Sequence, residues 1–559
     1  MRVDWLYLKN FKNLQNFEVD FDVSSERQVV VGRNGVGKSN VLEAMAWIFR
    51  DLDLEEDSDF EYEIRYKCNS SYMRIVTKDK KRTRGKKQAF PRQYFWVENW
   101  DEESAPEEEQ YQEINEAQFF RKNRPIGNKG QKKLNPDRLL PAYVFGYYSG
   151  VSGRFNEAFK KHEENYYKDQ ASGEEAAFRS MFLAKPHHSQ FSLLSFFASK
   201  DDETKSFLLE EFGIQNLKSV LFSLQEPYWY SSRRNKLQAA TADRRFWGSA
   251  GKVAPFLEKL FATALAPMAG SERKQISIGR SKTVEKRYCY IKDQADFEEL
   301  ASGLEAKDFF ARLESSVFTD LLGLDGEDLR IRVKLEDSDN PITFKELSEG
   351  EQQLLTIIGL MRFTAQNESL FLLDEPDTHL NPAWCLDLLD NLRTYGVNPD
   401  NSQLIVTTHS PLTFAGLDKN EVVIMDKSPD GLIQSYHPVN PPKGMGFQAI
   451  LTSDFFRLRS TLDRETLAKL DEKRALAFKE DKTDDQRKRL AELDIELGKL
   501  DFSHSARDPL YIEFLRAMTL EQARSPDISE AALSDIDWEK RKRLAQTIAR
   551  KLSDRDEAG

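Results

Sequence analysis

Short apolar runs that end at glycine, acidic or hydroxyl residues recur along this chain. Three valines at 29–31 precede a glycine-rich loop, and apolar positions then follow at helical spacing over 41–48. Similar runs stand at 139–146, 370–373 and 404–406. Their length is typical of buried strands, so the pattern predicts a domain of the α/β class.

The segments between these runs differ in pattern. Alternation over 60–99 predicts a small antiparallel β subdomain, and 328–346 predicts a β-ribbon. Residues 151–320 are mostly helical by pattern, and no heptad continues for three repeats, so we expect a compact helical insertion in place of a coiled coil. We expect four parts: two halves of one α/β domain at 1–150 and 328–450, a helical insertion at 151–327, and a helical C-terminal block at 451–559.

Two helices are expected in the C-terminal block. Thr483-Asp-Asp-Gln reads as a capping box, and leucines follow at helical spacing up to residue 500. A final helix at about 535–552 has an apolar face beside four basic residues. This block would serve the insertion, a dimer or a partner protein.

The loop after residues 29–31 fits the phosphate-binding pattern G-x-x-x-x-G-K-[ST] in its required strand–loop–helix context. Glycines let backbone N–H groups close on phosphate, and the helix N-terminus adds a positive dipole. We expect Lys38 to reach the β- and γ-phosphates of ATP and the Ser39 hydroxyl to bind Mg²⁺. The expected nucleotide-binding residues are Gly32, Arg33, Asn34, Gly35, Val36, Gly37, Lys38, Ser39 and Asn40.

Three further motifs follow in a fixed order. They are Leu-Ser-Glu-Gly-Glu at 347–351, an apolar run ending in Asp-Glu-Pro at 374–376, and Thr-Thr-His at 407–409. Any one of them is often an ordinary turn or strand end. Together with the phosphate loop, and in this order, they resemble the motifs of ABC-type ATPases.

The resemblance implies a mostly parallel sheet, an antiparallel subdomain and a homodimer or higher oligomer. In that family the Leu-Ser-x-Gly-Glu signature of one subunit caps ATP held by the other, which assigns nucleotide contacts to Ser348, Glu349 and Gly350. It also implies that Asp374 helps to hold Mg²⁺, that Glu375 polarises the attacking water and that His409 contacts the γ-phosphate.

The opening of the chain narrows the resemblance. Residues 6–14 and 39–44 are similar to the first strand and helix of ATPases related to SMC and RecF proteins. Transporter ATPases have a much shorter gap between phosphate loop and signature. In the family a glutamine follows a strand like the one at 139–150. Here Tyr147, Tyr148 and Ser149 occupy this place, without an obvious glutamine.

Over nearly its whole length the chain most resembles the PtuA-type ATPases of Septu and retron-associated anti-phage defence systems. The residues that carry this resemblance are 147–150, 408–411, 451–454 and 508–511. The resemblance implies a separate HNH nuclease as partner. In retron versions it also implies a reverse transcriptase with its multicopy single-stranded DNA.

We expect no nuclease activity from this chain itself. His187-His188 lacks a plausible following Asn and His, and Asp494 with Asp501 does not form the Asp-x-Asp of a Toprim nuclease. Two other functions stay open. One is a RecF-type DNA-repair clamp without a nuclease, and the other is an ATP-bound scaffold with slow turnover. A neighbouring HNH gene would favour the defence function over the clamp.

Composition excludes several classes of protein. The 559 residues are 40% hydrophobic and 31% charged, values typical of a globular protein. No apolar run approaches a membrane span, and the first residues lack a signal-peptide core, so we expect no membrane contact. Three cysteines without metal-like spacing are most simply explained by a cytoplasmic location.

The charge is uneven. A net charge of −12 disfavours nonspecific nucleic-acid binding by the whole surface. Residues 78–87 are strongly basic, however, and residues 101–118 are strongly acidic. Both are most simply solvated loops, although the basic strip could contact a nucleic-acid backbone. The arginines beside aromatic residues at 228–234 and 244–247 could stack on nucleic-acid bases, or they could lie at the boundary between two domains.

Overall fold

The computed structural model describes residues 1–82, 89–99, 111–126, 134–150, 152–172, 179–230, 244–249, 251, 253–277, 279–323, 326–364, 368–396, 400–479, 481–498 and 543. Half of the basic strip (83–87), much of the acidic strip at 101–118 and all of the final helix at 535–552 except residue 543 lie outside these residues. So do residues 231–243, which include part of the first arginine–aromatic segment.

Runs of strands and single or paired helices follow one another along the described chain. The strands are β1 Arg2–Phe11, β2 Leu14–Asp20, β3 Arg27–Gly32, β4 Tyr62–Cys68, β5 Ser71–Arg82, β6 Ala89–Asn99, β7 Gln112–Ile114, β8 Tyr143–Tyr148, β9 Met181–Leu183, β10 Ile214–Gln225, β11 Met268–Ser277, β12 Arg280–Ile291, β13 Leu329–Leu335, β14 Ile342–Thr343, β15 Ser369–Asp374, β16 Ser402–Thr407, β17 Val422–Lys427 and β18 Ile433–Tyr436.

The helices are α1 Lys38–Asp53, α2 Glu116–Asn123, α3 Asn156–Ser172, α4 His188–Ala198, α5 Asp202–Phe212, α6 Val253–Thr263, α7 Gln294–Ala301, α8 Ala306–Phe318, α9 Glu349–Thr364, α10 Pro382–Asn391, α11 Pro411–Phe414, α12 Phe447–Thr452, α13 Arg464–Ala477 and α14 Asp484–Gly498. None of these described helices is both long enough and apolar enough to cross a membrane.

A sheet with the strand order β18-β17-β3-β16-β15-β8-β9 forms the centre of the described fold. Its pairings are parallel except that β18 runs antiparallel to β17. Val29 and Val31 pack into one apolar core, and Val30 packs into the other. Burial on both faces explains the uninterrupted apolar runs in the sequence. The predicted α/β class with a mostly parallel sheet is confirmed.

An antiparallel sheet with the order β2-β1-β4-β5-β6-β7 packs beside this centre. Its core includes the stacked rings of Phe95 and Phe119, whose centroids lie 4.3 Å apart. Phe119 belongs to α2, which begins with a capping box between Asn115 and Gln118. The predicted antiparallel subdomain is therefore present, and β1 and β2 extend it.

A third sheet corrects the expectation for residues 151–327. Its order is β11-β12-β10-β13-β14, and all pairings are antiparallel. Three of its strands come from the segment expected to be mostly helical, so the insertion is mixed. The β10 strand pairs with β12 and with β13, which lie far from it in sequence. The local pattern did not show these partners, and the neighbouring aromatic stripes favoured helix.

The C-terminal part continues the core before its helices begin. Phe455 is buried against Phe414, with ring centroids 5.4 Å apart, and Arg457 pairs with Asp426 at 2.6 Å. Helices α13 and α14 then pack on each other. The predicted capping box at the start of α14 is confirmed, since the Gln486 N–H donates to Thr483 Oγ1 at 3.3 Å.

Candidate active site

The phosphate loop follows the carboxyl end of β3, an interior strand of the central sheet, and leads into α1. A Cβ atom at Gly32 would lie 2.3 Å from the carbonyl oxygen of Met425, and Gly37 has a φ of +93°. Both positions therefore require glycine. Lys38 is the first residue of α1, and its Nζ donates to the carbonyl oxygen of Gly32 at 2.9 Å. The lysine side chain thus folds back over the loop.

The strand after the signature helix brings an acid to this loop. Ser39 Oγ donates to Asp374 Oδ1 at 3.0 Å, and the Thr407 hydroxyl donates to the same carboxylate. Burial raises the pKa of Asp374, and the two hydroxyl hydrogen bonds oppose this effect. A hydroxyl beside a carboxylate provides the oxygen ligands that Mg²⁺ prefers.

Three charged or titratable groups meet next to Ser39. Lys38 Nζ lies 3.0 Å from His409 Nε2, and this nitrogen lies 2.8 Å from Glu375 Oε1. The hydrogen bond from His409 lowers the pKa of Glu375. Burial lowers the pKa of Lys38 to about 8, although the charges of Glu375 and Asp374 oppose this. Near neutral pH the carboxylate is therefore ionised and most of the lysine is protonated.

The backbone at Glu375 is unusual. Its φ is +53°, in the left-handed region that residues with a Cβ atom rarely adopt. The Glu375 N–H donates to the carbonyl oxygen of Thr407 at 3.0 Å, which continues the pairing of β15 with β16 past the strand end. This conformation costs about 1–3 kcal/mol and is typical of functional positions.

These residues line one cavity of about 370 Å³. Its lining is polar and contains the Lys38 amine, the Arg154 guanidinium and the N-terminal turn of α1. Such a lining suits a polyanion, and Ser39, which lines the cavity and bonds to Asp374 behind it, provides with that carboxylate the oxygen ligands of a divalent cation. The residues therefore fit ATP with Mg²⁺. The lining residues are Asn13, Asn34, Gly35, Gly37, Lys38, Ser39, Asn40, Arg154, Glu375 and His409.

Asn13 and Arg154 were not predicted as site residues. Arg154 donates to Asn40 Oδ1 at 2.9 Å, and Asn13 Nδ2 donates to the carbonyl oxygen of Gly35 at 3.0 Å. Arg154 lies a few residues after β8, where the family places its glutamine. The glycines at 150 and 153, just after β8, were the sequence feature that could have indicated a loop at the site here. Ser149 also lies at this position, and its N–H donates to the carbonyl oxygen of Asp374 at 3.3 Å.

The signature residues stand apart from this cavity lining. Ser348 caps α9, because the Glu351 N–H donates to its hydroxyl at 3.2 Å. Glu349 lies 3.4 Å from His379, and a Cβ atom at Gly350 would lie 2.7 Å from the His379 carbonyl oxygen. In its own chain the signature thus contacts the loop after Glu375, and Ser348 and Glu349 are exposed.

The remaining loop residues take supporting positions. Val36 is buried, and Arg33 lies 3.9 Å from Asp426. The histidine pair outside the site lies in the apolar core, where burial lowers the pKa of His188 well below its usual range. Among the described residues no group of three or more His, Cys, Asp or Glu side chains is arranged to hold a metal ion.

A phosphate loop, a strand ending in two acids and a histidine at the next strand end define the site of a P-loop ATPase. Residues 1–413 match the profile of the AAA ATPase domain family, and the chain belongs to this family. Septu protein PtuA from Bacillus mycoides (strain KBAB4) is 24% identical over 184 residues, which are 32% of this chain. The match spans only 24% of the length of that relative.

Among solved structures, an SMC head is similar to this chain. The head, solved in complex with the C-winged helix domain of ScpA, is 12% identical and has a TM-score of 0.32. The match covers 78% of this chain and 98% of that chain.

Arg154→Ala should slow ATP hydrolysis by about tenfold or more, since it removes a cation from the cavity. The charge of Arg154 adds to the effect of His409 in lowering the pKa of Glu375. The pKa of Glu375 should therefore rise in the variant, and the acidic limb of the pH–rate profile should move to higher pH. Steady-state rates between acidic and neutral pH measure both effects.

Arg154→Lys should restore the position of the limb. An unchanged rate and limb would reduce Arg154 to a support for Asn40.

Proposed function

We propose that this chain is the ATP-hydrolysing regulatory subunit of an anti-phage defence complex and that it controls a separate HNH-type nuclease. The observation that carries the ATPase part is the contact of Lys38, His409 and Glu375 beside the Ser39–Asp374 pair. These residues come from three separate stretches of sequence. Their convergence at one polar cavity supports a catalytic site.

Within this proposal each side chain has a distinct task. Lys38 and the loop N–H groups would bind the phosphates, and Ser39 with Asp374 would hold Mg²⁺, which would supply positive charge to offset that of the phosphates. Glu375 is ionised and accepts the hydrogen bond of the attacking water. His409 contacts the γ-phosphate and positions Glu375. On nucleotide binding, Lys38 exchanges its contact with the Gly32 carbonyl for phosphate oxygens.

We further propose that ATP is held between two copies of the chain. Ser348 and Glu349 are exposed, and neither belongs to the cavity lining of its own subunit. A second copy could therefore bring Ser348, Glu349 and Gly350 to the γ-phosphate. The contact of Glu349 with His379 and the bond from Gln353 to the Pro376 carbonyl oxygen join the signature to the loop after Glu375. Hydrolysis would thereby alter the dimer contacts.

The defence function is supported by the similarity to Septu protein PtuA. The HNH nuclease and, in a retron setting, a reverse transcriptase with its single-stranded DNA are the partners that we propose from this relationship. The nuclease would dock on the C-terminal helices, because they follow closely on the His409 strand and are not needed for the cavity. Motion at His409 could thus reach the nuclease over a short path.

The packing of residues 455–457 decides where a C-terminal deletion that tests this nuclease-binding site should begin. Phe455 and Arg457 pack against the ATPase core, and removal of a buried phenylalanine costs about 3–5 kcal/mol. A deletion should therefore start after Asp463, at the beginning of α13. This spares the core and removes α13, α14 and the residues that follow.

Deletion of residues 464–559 should abolish co-purification of an HNH nuclease from the native cell and leave ATP binding within about twofold. Tagged full-length and truncated chains would be compared by mass spectrometry, with nucleotide affinity and thermal unfolding as controls for folding. A folded truncated chain that retains the nuclease would move the dock to the insertion. A full-length chain that never captures a nuclease would contradict the proposed partner and favour the repair clamp.

A further inference from the structure

The antiparallel sheet β11-β12-β10-β13-β14 has one covered face and one open face. Val220, Phe222 and Ile331 are buried on the covered side, where α6 and α7 pack. Directly paired residues of neighbouring strands share a face, so Leu221 stands on the open side between Tyr290 of β12 and Arg330 of β13. The open face therefore carries aromatic and basic side chains at defined positions.

Two parallel rows cross this open face. Tyr288 and Tyr290 are two residues apart on β12, so their side chains point the same way about 7 Å apart. Arg330 and Arg332 form the matching row on β13, about 10 Å away across β10. Ser219, Leu221 and Ser223 of β10 lie between the rows. Their side chains do not project far above the sheet, so a shallow surface separates the two rows.

The two arginines are available to a ligand. Both are exposed, and neither forms an ion pair within the described part of the chain. Glu327 pairs with Lys345 at 2.6 Å and Asp328 pairs with Lys286 at 2.5 Å, and the charge of Arg332 acts on the exposed carboxylate of Glu346. The face is thus locally basic although the chain as a whole carries a charge of −12.

A groove of about 450 Å³ runs along the arginine row and contains an unsatisfied polar atom. Gln190 lines this groove, is only 5% exposed, and its Oε1 has no hydrogen-bond partner among the described residues. Its amide nitrogen donates to the carbonyl oxygen of Gly326 at 3.1 Å, which fixes the side chain. This oxygen is covered by protein atoms, so a base N–H or a ribose hydroxyl in the groove can donate a hydrogen bond to it only once the groove-lining side chains move aside.

We propose that this face binds single-stranded nucleic acid. Bases would stack on Tyr288 and Tyr290, phosphates would contact Arg330 and Arg332, and Gln190 would accept a hydrogen bond from a base or sugar in the groove. The tyrosine row and the buried amide favour a nucleic acid over an acidic polypeptide, which needs only the charges. The proposal does not depend on the nuclease partner, and it extends the single-stranded DNA partner proposed above for a retron setting to a defined surface. This surface differs from the basic strip at 78–87 and from the arginine–aromatic segments at 228–234 and 244–247.

The test is fluorescence anisotropy of the purified full-length chain with labelled oligothymidylate, oligouridylate and a DNA duplex. The single strands should bind more tightly than the duplex, and the two single strands distinguish DNA from RNA. Arg330→Ala with Arg332→Ala should weaken binding by about tenfold or more and lower the salt slope by about 0.7 for each lost phosphate contact. Tyr290→Ala should weaken binding by about tenfold, whereas Tyr290→Phe should keep most of the affinity because stacking is retained.

A matched control removes the same charge elsewhere. Arg487→Ala with Lys488→Ala changes two exposed residues of α14 and should leave oligonucleotide affinity within about twofold. ATP turnover without nucleic acid should be unchanged in all these variants, so failure here is separable from failure of the ATPase proposal. No binding by the wild-type chain, equal losses in the control, or competition by polyglutamate with no effect of Tyr290→Ala would overturn the proposal.

Discussion

Glu375→Gln should leave ATP binding intact and lower the rate of hydrolysis by at least about 10²-fold, the usual effect of removing a positioned base. The carboxylate lies 2.8 Å from His409, and this hydrogen bond keeps its pKa low. The amide has nearly the same shape but cannot accept the proton of the attacking water. Steady-state phosphate release gives the rate, and equilibrium nucleotide binding gives the affinity.

Two controls frame this result. Lys38→Ala should lose nucleotide affinity instead, because it removes the amine that meets both His409 and the loop carbonyl. Asp484→Asn changes an exposed acid that lies outside the cavity lining and the signature, and it should leave ATP binding and hydrolysis unchanged. Normal hydrolysis by a folded Glu375→Gln variant would show that another group activates the water.

Ser348→Arg should abolish turnover while each single chain still binds ATP, because bulk and charge would enter the partner's γ-phosphate site. The side chain is exposed and lies outside the cavity lining of its own subunit, so nucleotide binding to one chain should survive. Mixing this variant with Lys38→Ala protein should restore one working site in each mixed dimer, since one of its two shared sites would then contain only native residues. Turnover of the mixture, titrated by ratio, measures the recovery.

Separate variants control for local structure around Ser348. Ser348→Ala removes the helix cap, which costs about 1 kcal/mol, without adding bulk. Asn340→Arg places the same new side chain on the exposed loop before β14 and should hydrolyse ATP normally. If both original mutants are folded and their mixture stays inactive, the shared-site arrangement is refuted.

Much of the ATPase core could be predicted from short stretches of sequence. The phosphate loop requires glycine at positions 32 and 37 for steric reasons that act within a few residues, so the motif is visible without a structure. The runs at 29–31, 370–373 and 404–406 are uniformly apolar because the parallel sheet is buried on both faces. The AAA ATPase family match covers all of these motifs.

The strands β10, β11 and β12 escaped prediction for the opposite reason, whereas β13 and β14 form the β-ribbon that was predicted at 328–346. The β10 strand takes its partners from β12 and β13, and strand pairing over such distances leaves no local signature. The presence of Arg154 in the cavity could not be predicted either. A single arginine in a glycine-rich turn has no recognisable pattern, and its position follows only from the contact of the folded turn with Asn40. The attachment of Phe455 to Phe414 likewise depends on packing between distant segments.

By itself, the sequence determined the chemical groups available for ATP hydrolysis, their order along the chain and the buried strands that carry them, because these depend on local sterics and on periodicity. Only the tertiary structure decided which groups touch. It brought His409 between Lys38 and Glu375, added Arg154 to the cavity, kept the signature outside it and laid tyrosines and arginines on one open sheet face. Those contacts arise from sheet order and register, which join residues hundreds of positions apart.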